Sequence, residues 1–285
     1  MTGIQDLGVN DLEGAQALVV ESGWNQVRAD WELFTTLGSA FKVEAPQGGV
    51  TATAATLPFP GGFGWISMVL VAKSQRRQGI ATALLQHCID RLQAAGQVPV
   101  LDATPAGREV YKLLGFRDGW AITRWRASGR KPASGFRRNE STVTLRPIAE
   151  SDWPRIVELD AKAFGANRGT LLQRLGARSQ GFSCIAEQEG RLSGFLLGRD
   201  GRLATQVGPI VAREEGVAQL LMERALARIE GPVLVDVLDR HEAFSQLLPA
   251  AGFAVERGYT RMTLGRETCF GDDKLTVAIA GPELG

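Results

Sequence analysis

The sequence predicts an α+β protein in which one structural unit is used twice, each copy a mixed sheet flanked by helices. Three observations carry this. Apolar runs almost free of polar residues, "WISMVLVA" (65–72), "VPVLDA" (98–103), "QVGPIVA" (206–212) and "GPVLVDVLD" (231–239), have the character of strands buried on both faces. Segments with apolar residues every three or four positions follow them, as in Ala81, Leu84, Leu85, Cys88, Leu92 and Ala95. The order also recurs: "VPVLDATP" and "GREVYKLLGF" in the first half correspond to "GPVLVDVLD" and "EAFSQLLPAAGF" in the second.

The elements follow in order. A first helix begins after Asn10 or Asp11, with Leu12, Ala15, Leu18 and Val19 on one face, and a second spans about Val27 to Leu37. Gly38 suits the C′ position that ends it. "FKVEAPQGGVTATAATL" reads as a hairpin turning at Gly48-Gly49. "WISMVLVA" is the next strand, then come the long helix, the strand "VPVLDA", and a short helix "AGREVYKLLGF" closed by Gly115. In the second half "VTLRPIAESDWPRIVELDAKAF" gives a strand and a helix, and "SCIAEQEGRLSGFLLG" a hairpin turning at Glu189-Gly190. "QVGPIVA" then leads into the helix of "GVAQLLMERALARI". Between the halves "ASGRKPASGFRRNEST" is poor in apolar residues and reads as a connector, which sets the expected divisions at 1–126, 127–142 and 143–285. Its Arg130, Lys131, Arg137 and Arg138 are read as a solvated basic stretch.

Composition narrows the function. The 285 residues carry 32 basic against 31 acidic side chains, a net charge of +1, so no global field draws the chain to nucleic acid or to a membrane surface. The three cysteines are dispersed and there are only two histidines, so neither a disulfide framework nor a metal site is expected. Cys88 and His87 fall within a helix and are read as structural, and Asp236, Asp239 and His241 as part of a solvated loop after a strand. No stretch has the length and apolarity of a membrane span, and the opening "MTGIQDLGVNDLEG" lacks the features of a signal peptide. A cytoplasmic monomer or homodimer without a metal is the expectation.

The chemistry concentrates at "QRRQGIATALL", where a strand passes through a basic glycine turn into a helix. Unpaired N–H groups and the helix dipole make such an N-terminus an anion site. Gly79 lets backbone approach the anion, and Arg76 and Arg77 add charged donors. The spacing is neither GxxxxGK[ST] nor GxGxxG, so neither common nucleotide loop is indicated. From the residues alone the ligand is a phosphate-bearing molecule beside a buried strand.

Arg76 to Ala81 read Arg-x-x-Gly-x-Ala, and "VLVAKSQRRQGIATALL" resembles the acetyl-coenzyme A signature of the GNAT superfamily of N-acetyltransferases. "AGREVYKLLGF" resembles that superfamily's second landmark, a helix with a tyrosine shortly before Gly-Phe, and the two stand in the right order with a strand between them. With "WNQ", "LDATPAG" and "AIAGPELG", the whole chain is similar to the tandem-domain, YitH-like branch. The resemblance implies two tandem domains with mixed, mostly antiparallel sheets, and direct transfer of an acetyl group from acetyl-CoA to a primary amine of a small molecule. It implies that the pantetheine arm pairs with the main chain of Val69, Leu70 and Val71. Arg76, Arg77, Gln78, Gly79, Ile80, Ala81 and Thr82 would hold the pyrophosphate, and Tyr111 would protonate the departing thiolate.

The strand "WISMVLV" holds no carboxylate where many relatives carry one, so the base is open. Asp102 is the nearest acidic residue, read equally as a base or as a turn or N-cap residue, with Thr104 beside it. "SGWNQVRADW" offers Trp24, Asn25, Gln26 and Asp30 for an amine pocket, although tryptophan core packing with a capping aspartate fits the same residues. In the second half the turn is shorter, Glu214 and Glu215 replace its basic residues, and Leu248 falls where Tyr111 stands. Two carboxylates there repel a pyrophosphate. The first half is therefore expected to carry the reaction. A CoA-binding sensor without turnover is the alternative from another class.

Overall fold

The computed structural model describes residues 3–129 and 143–285. The connector's Arg130, Lys131, Arg137 and Arg138 lie outside the described residues. The first half runs β1 (Gln5–Asp6), α1 (Leu12–Glu21), α2 (Arg28–Leu37), β2 (Ser39–Glu44), β3 (Val50–Phe59), β4 (Phe63–Val71), α3 (Ile80–Ala94), β5 (Val98–Ala103), α4 (Pro105–Leu113) and β6 (Phe116–Ala127). The second runs β7 (Val143–Arg146), α5 (Trp153–Phe164), α6 (Gly169–Arg178), β8 (Cys184–Gln188), β9 (Arg191–Arg199), β10 (Thr205–Ala212), α7 (Glu215–Leu226), β11 (Val233–Leu238), α8 (Glu242–Ser245), β12 (Phe253–Leu264) and β13 (Thr276–Ala278).

Local sequence accounts for most of this. Helix α1 buries Leu12, Ala15, Leu18 and Val19, the predicted stripe, and α3 buries Leu84, Leu85, Cys88, Ile89 and Leu92. The β8–β9 hairpin turns at Glu189 and Gly190, both left-handed, as a two-residue loop between twisted strands requires. Gly38 ends α2, but not in the left-handed conformation expected of a C′ glycine, its φ being −146°. Glycine is needed there because a Cβ would run into the carbonyl oxygen of Thr56 on the neighbouring strand.

All the described strands form one sheet in the order β1-β2-β3-β4-β5-β12-β6-β11-β13-β10-β9-β8-β7. The centre holds an exchange that the sequence reading lacked. Strand β12 of the second half pairs with β5 of the first, bringing Arg261 opposite Asp102, while β6 of the first half pairs with β11 of the second. The exchanged strands also pair with each other, Tyr259 lying opposite Ile122. The sheet therefore does not divide where the chain does. A buried ion pair locks the crossing: both oxygens of Asp236 on β11 accept from the guanidinium of Arg124 on β6, at 2.7 and 2.8 Å. Asp236 is thus buried rather than solvated, and His241 is buried too, its ring nitrogens at 3.0 Å from Glu215 Oε1 and 2.9 Å from the Asp273 carbonyl.

Each half contains one parallel strand pair that splays. Strands β4 and β5 pair only from Phe63–Val98 to Trp65–Val100. Beyond that β4 bulges, with Met68 at φ 53° and a register shift against β3. Strands β10 and β11 pair from Thr205–Val233 to Val207–Val235 and then part likewise. That second gap is closed by β13, which pairs with β10 at Ile210–Ala278 and with β11 at Val237–Ala278. Among the described residues no helix is long and apolar enough to cross a membrane.

Helix α8 is a single turn, and Leu248 lies beyond it, fully buried among Phe244, Ala251 and Phe253. Leu248→Ala should therefore cost about 2–5 kcal/mol of stability, through lost transfer energy and the cavity left behind. Urea unfolding measures it. A change under about 0.5 kcal/mol would show that the position is not a core site.

Candidate active site

The open splay between β4 and β5 contains a cavity of about 210 Å³. Its walls come from both halves: Gln26, Ser67, Asp102 and Tyr111 from the first, Tyr259 and Glu283 from the second. A second cavity of about 500 Å³ adjoins it, sharing Trp24 and Val69, and runs past Leu70 and Val71 to Arg76, Arg77 and Gly79–Thr82.

The larger cavity has the features of a diphosphate and amide-chain site. Gly79 stands at the N-cap of α3 with φ 77°, and no side chain caps the first-turn N–H groups. A Cβ at Gly79 would meet no atom within 4 Å, so glycine is required for the backbone conformation and leaves that space open. Arg77 is also left-handed, at φ 62°, and Arg76 folds back so that its Nε donates to the Val71 carbonyl at 3.0 Å. Because β5 leaves β4 after Trp65, the inner edge of Val69–Val71 has no strand beside it among the described residues. The Gln78 side chain lies apart from this cavity and lines a neighbouring groove with Gln75, Ile80 and Ala83.

Tyr111 reaches the smaller cavity from α4. Pro105 begins that helix, and Thr104 caps it, accepting from the Gly107 N–H at 3.2 Å. Gly107 matters here, since a Cβ would press on the Tyr111 ring at 3.1 Å. No hydrogen bond ties the Tyr111 hydroxyl to another described residue, and burial raises the phenol's pKa above its ordinary value. It is therefore a proton donor at neutral pH.

Other sequence-predicted residues are placed differently. Asp102 lines the cavity, but both its oxygens are held at 3.0 Å by Arg261, which packs over the rings of Trp65 and Trp120. Burial pushes its carboxyl above the usual carboxylate range, and the Arg261 charge opposes that. The helix cap, one of the two readings of Asp102, comes instead from Thr104. Asp30 does not line the cavity, which corrects its assignment to the amine pocket. It is fully buried, accepting from the Val27 N–H at 2.8 Å as the N3 residue of α2 and pairing with Arg178 at 2.8 Å and Arg199 at 3.1 Å. Asn25 does line the cavity, but its carboxamide is spent on the second half, donating to the Ala204 carbonyl and accepting from the Leu203 and Ala204 N–H groups. Trp24, Gln26 and Thr104 also border the cavity.

Ser67, Arg124, Tyr259 and Glu283 border it as well and were missed. Each carried a faint signal: Ser67 is the only hydroxyl in "WISMVLVA", Tyr259 is one of just two tyrosines, and Glu283 is the only charge in "AIAGPELG". Arg124 carried none. Among the described residues no group of three or more His, Cys, Asp and Glu is arranged to hold a metal ion.

An "Acetyltransferase (GNAT) family" model matches residues 18–116 and an "Acetyltransferase (GNAT) domain" model matches residues 156–275. The chain is similar to the "Uncharacterized N-acetyltransferase YitH" of Bacillus subtilis (strain 168), at 24% identity over 85% of this chain and 84% of that protein. A crystal structure of an acetyltransferase candidate from Pyrococcus horikoshii shares the fold with a TM-score of 0.80 at 19% identity, covering 99% of this chain and 95% of that one. A tandem GNAT protein from the clavulanic acid biosynthesis pathway does so with a TM-score of 0.69 at 14% identity, covering 92% and 97%.

Removing Asp102 would leave the Arg261 guanidinium buried without its carboxylate. Asp102→Ala should then destabilise the fold by about 3–5 kcal/mol, as breaking a buried pair does. Denaturant titration measures it. A stable variant that had lost only its activity would return Asp102 to a chemical role.

Proposed function

The chain belongs to the GNAT superfamily and is an N-acetyltransferase with two such domains in tandem, and on that premise we propose that residues 1–126 carry acetyl transfer from acetyl-CoA to the primary amine of a small molecule. The observation that carries this reading is the open β4–β5 gap. It joins an uncapped helix N-terminus and a free strand edge to the cavity that Tyr111 borders.

The residues divide the work. The N–H groups from Arg77 to Thr82 take the diphosphate, with Gly79 leaving room for it and the α3 dipole favouring its charge. The edge of Val69, Leu70 and Val71 takes the amide chain as an added strand. Bound acetyl-CoA supplies the activated acetyl thioester. Tyr111 holds a proton, and with its hydroxyl unpaired it can deliver that proton to sulfur. Trp24, which borders both cavities, stands where cosubstrate and acceptor would meet.

Three features support assigning the reaction to the first half alone. Strand β13 fills the second gap, so β10 has no free edge equivalent to Val69–Val71. The strand-to-helix segment is residues 72–79 in the first half and only 213–214 in the second, where Glu214 and Glu215 begin the helix. The position of Tyr111 is taken by the buried Leu248.

Isothermal titration with acetyl-CoA, then thiol release across a panel of primary amines, tests the proposal. Binding with no thiol release from any amine would favour a sensor. Gly79→Asp should abolish binding, because a strained and negatively charged side chain would occupy the anion's approach. Gly216→Asp is the control: it enters open space in a helix without a left-handed φ, and affinity should not change. If the two weakened binding equally, the second half would hold a working site. Tyr111→Phe should leave acetyl-CoA affinity intact and lower kcat about 10²-fold, the usual scale of general-acid catalysis. An unchanged kcat would remove the tyrosine from the mechanism.

A further inference from the structure

The acceptor cavity has three acidic residues in its wall, Asp102, Glu256 and Glu283, and only one has the means to take a proton from a buried amine. Asp102 has both oxygens bound by Arg261. Glu256 is a quarter exposed and lies between Arg126 at 3.4 Å and Arg257 at 3.5 Å. Glu283 is 96% buried, yet only its Oε1 is engaged, by Arg199. Its Oε2 has no partner among the described residues and is not sealed from the cavity. Arg199 in turn is held by Asp30 and by the Ala280 carbonyl, so the carboxylate is fixed in place.

Gln26 and Ser67 also line this cavity, but Gln26 Oε1 and Ser67 Oγ are themselves closed off from it. The free oxygen of Glu283 is therefore the acidic acceptor open to a ligand there, with Tyr111 and Tyr259 bordering the same space. An alkylammonium group, with three N–H donors, is a partner such an oxygen can take.

We propose that Glu283, brought from the second half, is the catalytic base of the first half's reaction and receives the acceptor as a primary ammonium ion. The inference rests on the acetyltransferase reading given above. In the step itself the N–H bond of the ammonium breaks, its electron pair stays on nitrogen as the nucleophilic lone pair, and the proton forms an O–H bond to Glu283 Oε2. The neutral carboxylic acid then releases that proton to water, which restores the carboxylate. No oxidant, metal or further reactant is needed.

Glu283→Gln keeps the acceptor for Arg199 and removes the basic oxygen. Against the best amine of the panel it should lower kcat/KM by about 10² or more, the range of general-base catalysis, with acetyl-CoA affinity within about threefold of wild type. Glu283→Asp should recover part of the loss. Wild-type crystals soaked in ethylammonium chloride should show its nitrogen within hydrogen-bond distance of Glu283 Oε2. This soak uses no acetyl-CoA, so it judges the subsite even if cofactor binding, and with it the acetyltransferase reading, failed, or if Glu283→Gln did not fold. Ethylammonium absent from the cavity, or bound there away from Glu283, would overturn the proposal. So would a folded Glu283→Gln protein whose kcat/KM stayed within threefold of wild type.

Discussion

Two parallel strands that part company leave backbone N–H and C=O groups facing a gap, and those groups must find partners or water. The chain meets this constraint twice and resolves it in opposite ways. Between β10 and β11 it inserts β13, whose backbone pairs with both. Between β4 and β5 no described strand is inserted, and β4 bulges at Met68 along the opening. One gap becomes core, and the other stays open as the cavity that Tyr111 borders.

The closed gap also shapes the open one. After β13 the chain continues through residues 279–285, which pack between the halves: Trp65 donates to the Pro282 carbonyl at 2.9 Å, and Arg168 donates to the carbonyls of Leu284 and Gly285. That path delivers Glu283 to the first half's cavity. The strand exchange reinforces it, because β12 lies directly beside β5 and carries Tyr259 to the cavity wall and Arg261 to Asp102. A half that has lost its own opening thus completes the opening of the other. Asn25 and Asp30 hold the arrangement from the other side, through bonds to Ala204, Arg178 and Arg199.

This explains what could be read from the residues in advance. The helices and most strands obey local rules, and the anion turn does too, since an arginine pair, a glycine and a helix start lie within a few residues. Tyr111 was legible for the same reason, standing in a short helix with its own cap and terminating glycine. What escaped was set by partners distant in sequence. Asp30 looks like a pocket residue until Arg178 and Arg199 are seen around it, and Asp102 looks like a base until Arg261 arrives on an exchanged strand. Strand β13 is too short to leave a periodic signal. Glu283 is an isolated acid in an apolar segment, and nothing local to it specifies a neighbour.

The distribution of satisfied and unsatisfied groups follows the same division. Around the cavity Asp102, Asp236 and Asp30 are each matched by arginine, in buried pairs that position strands and halves. Such pairs add little net stability, because desolvation offsets their attraction, but each makes any other arrangement costly, since a lone charge would be left buried. They fix the walls. Glu283 instead keeps one carboxylate oxygen unpartnered at the cavity wall. The arginines around the cavity are all committed to other acids, so the partner that oxygen lacks would have to come from a ligand, and under the proposal above the acceptor's ammonium group would supply it.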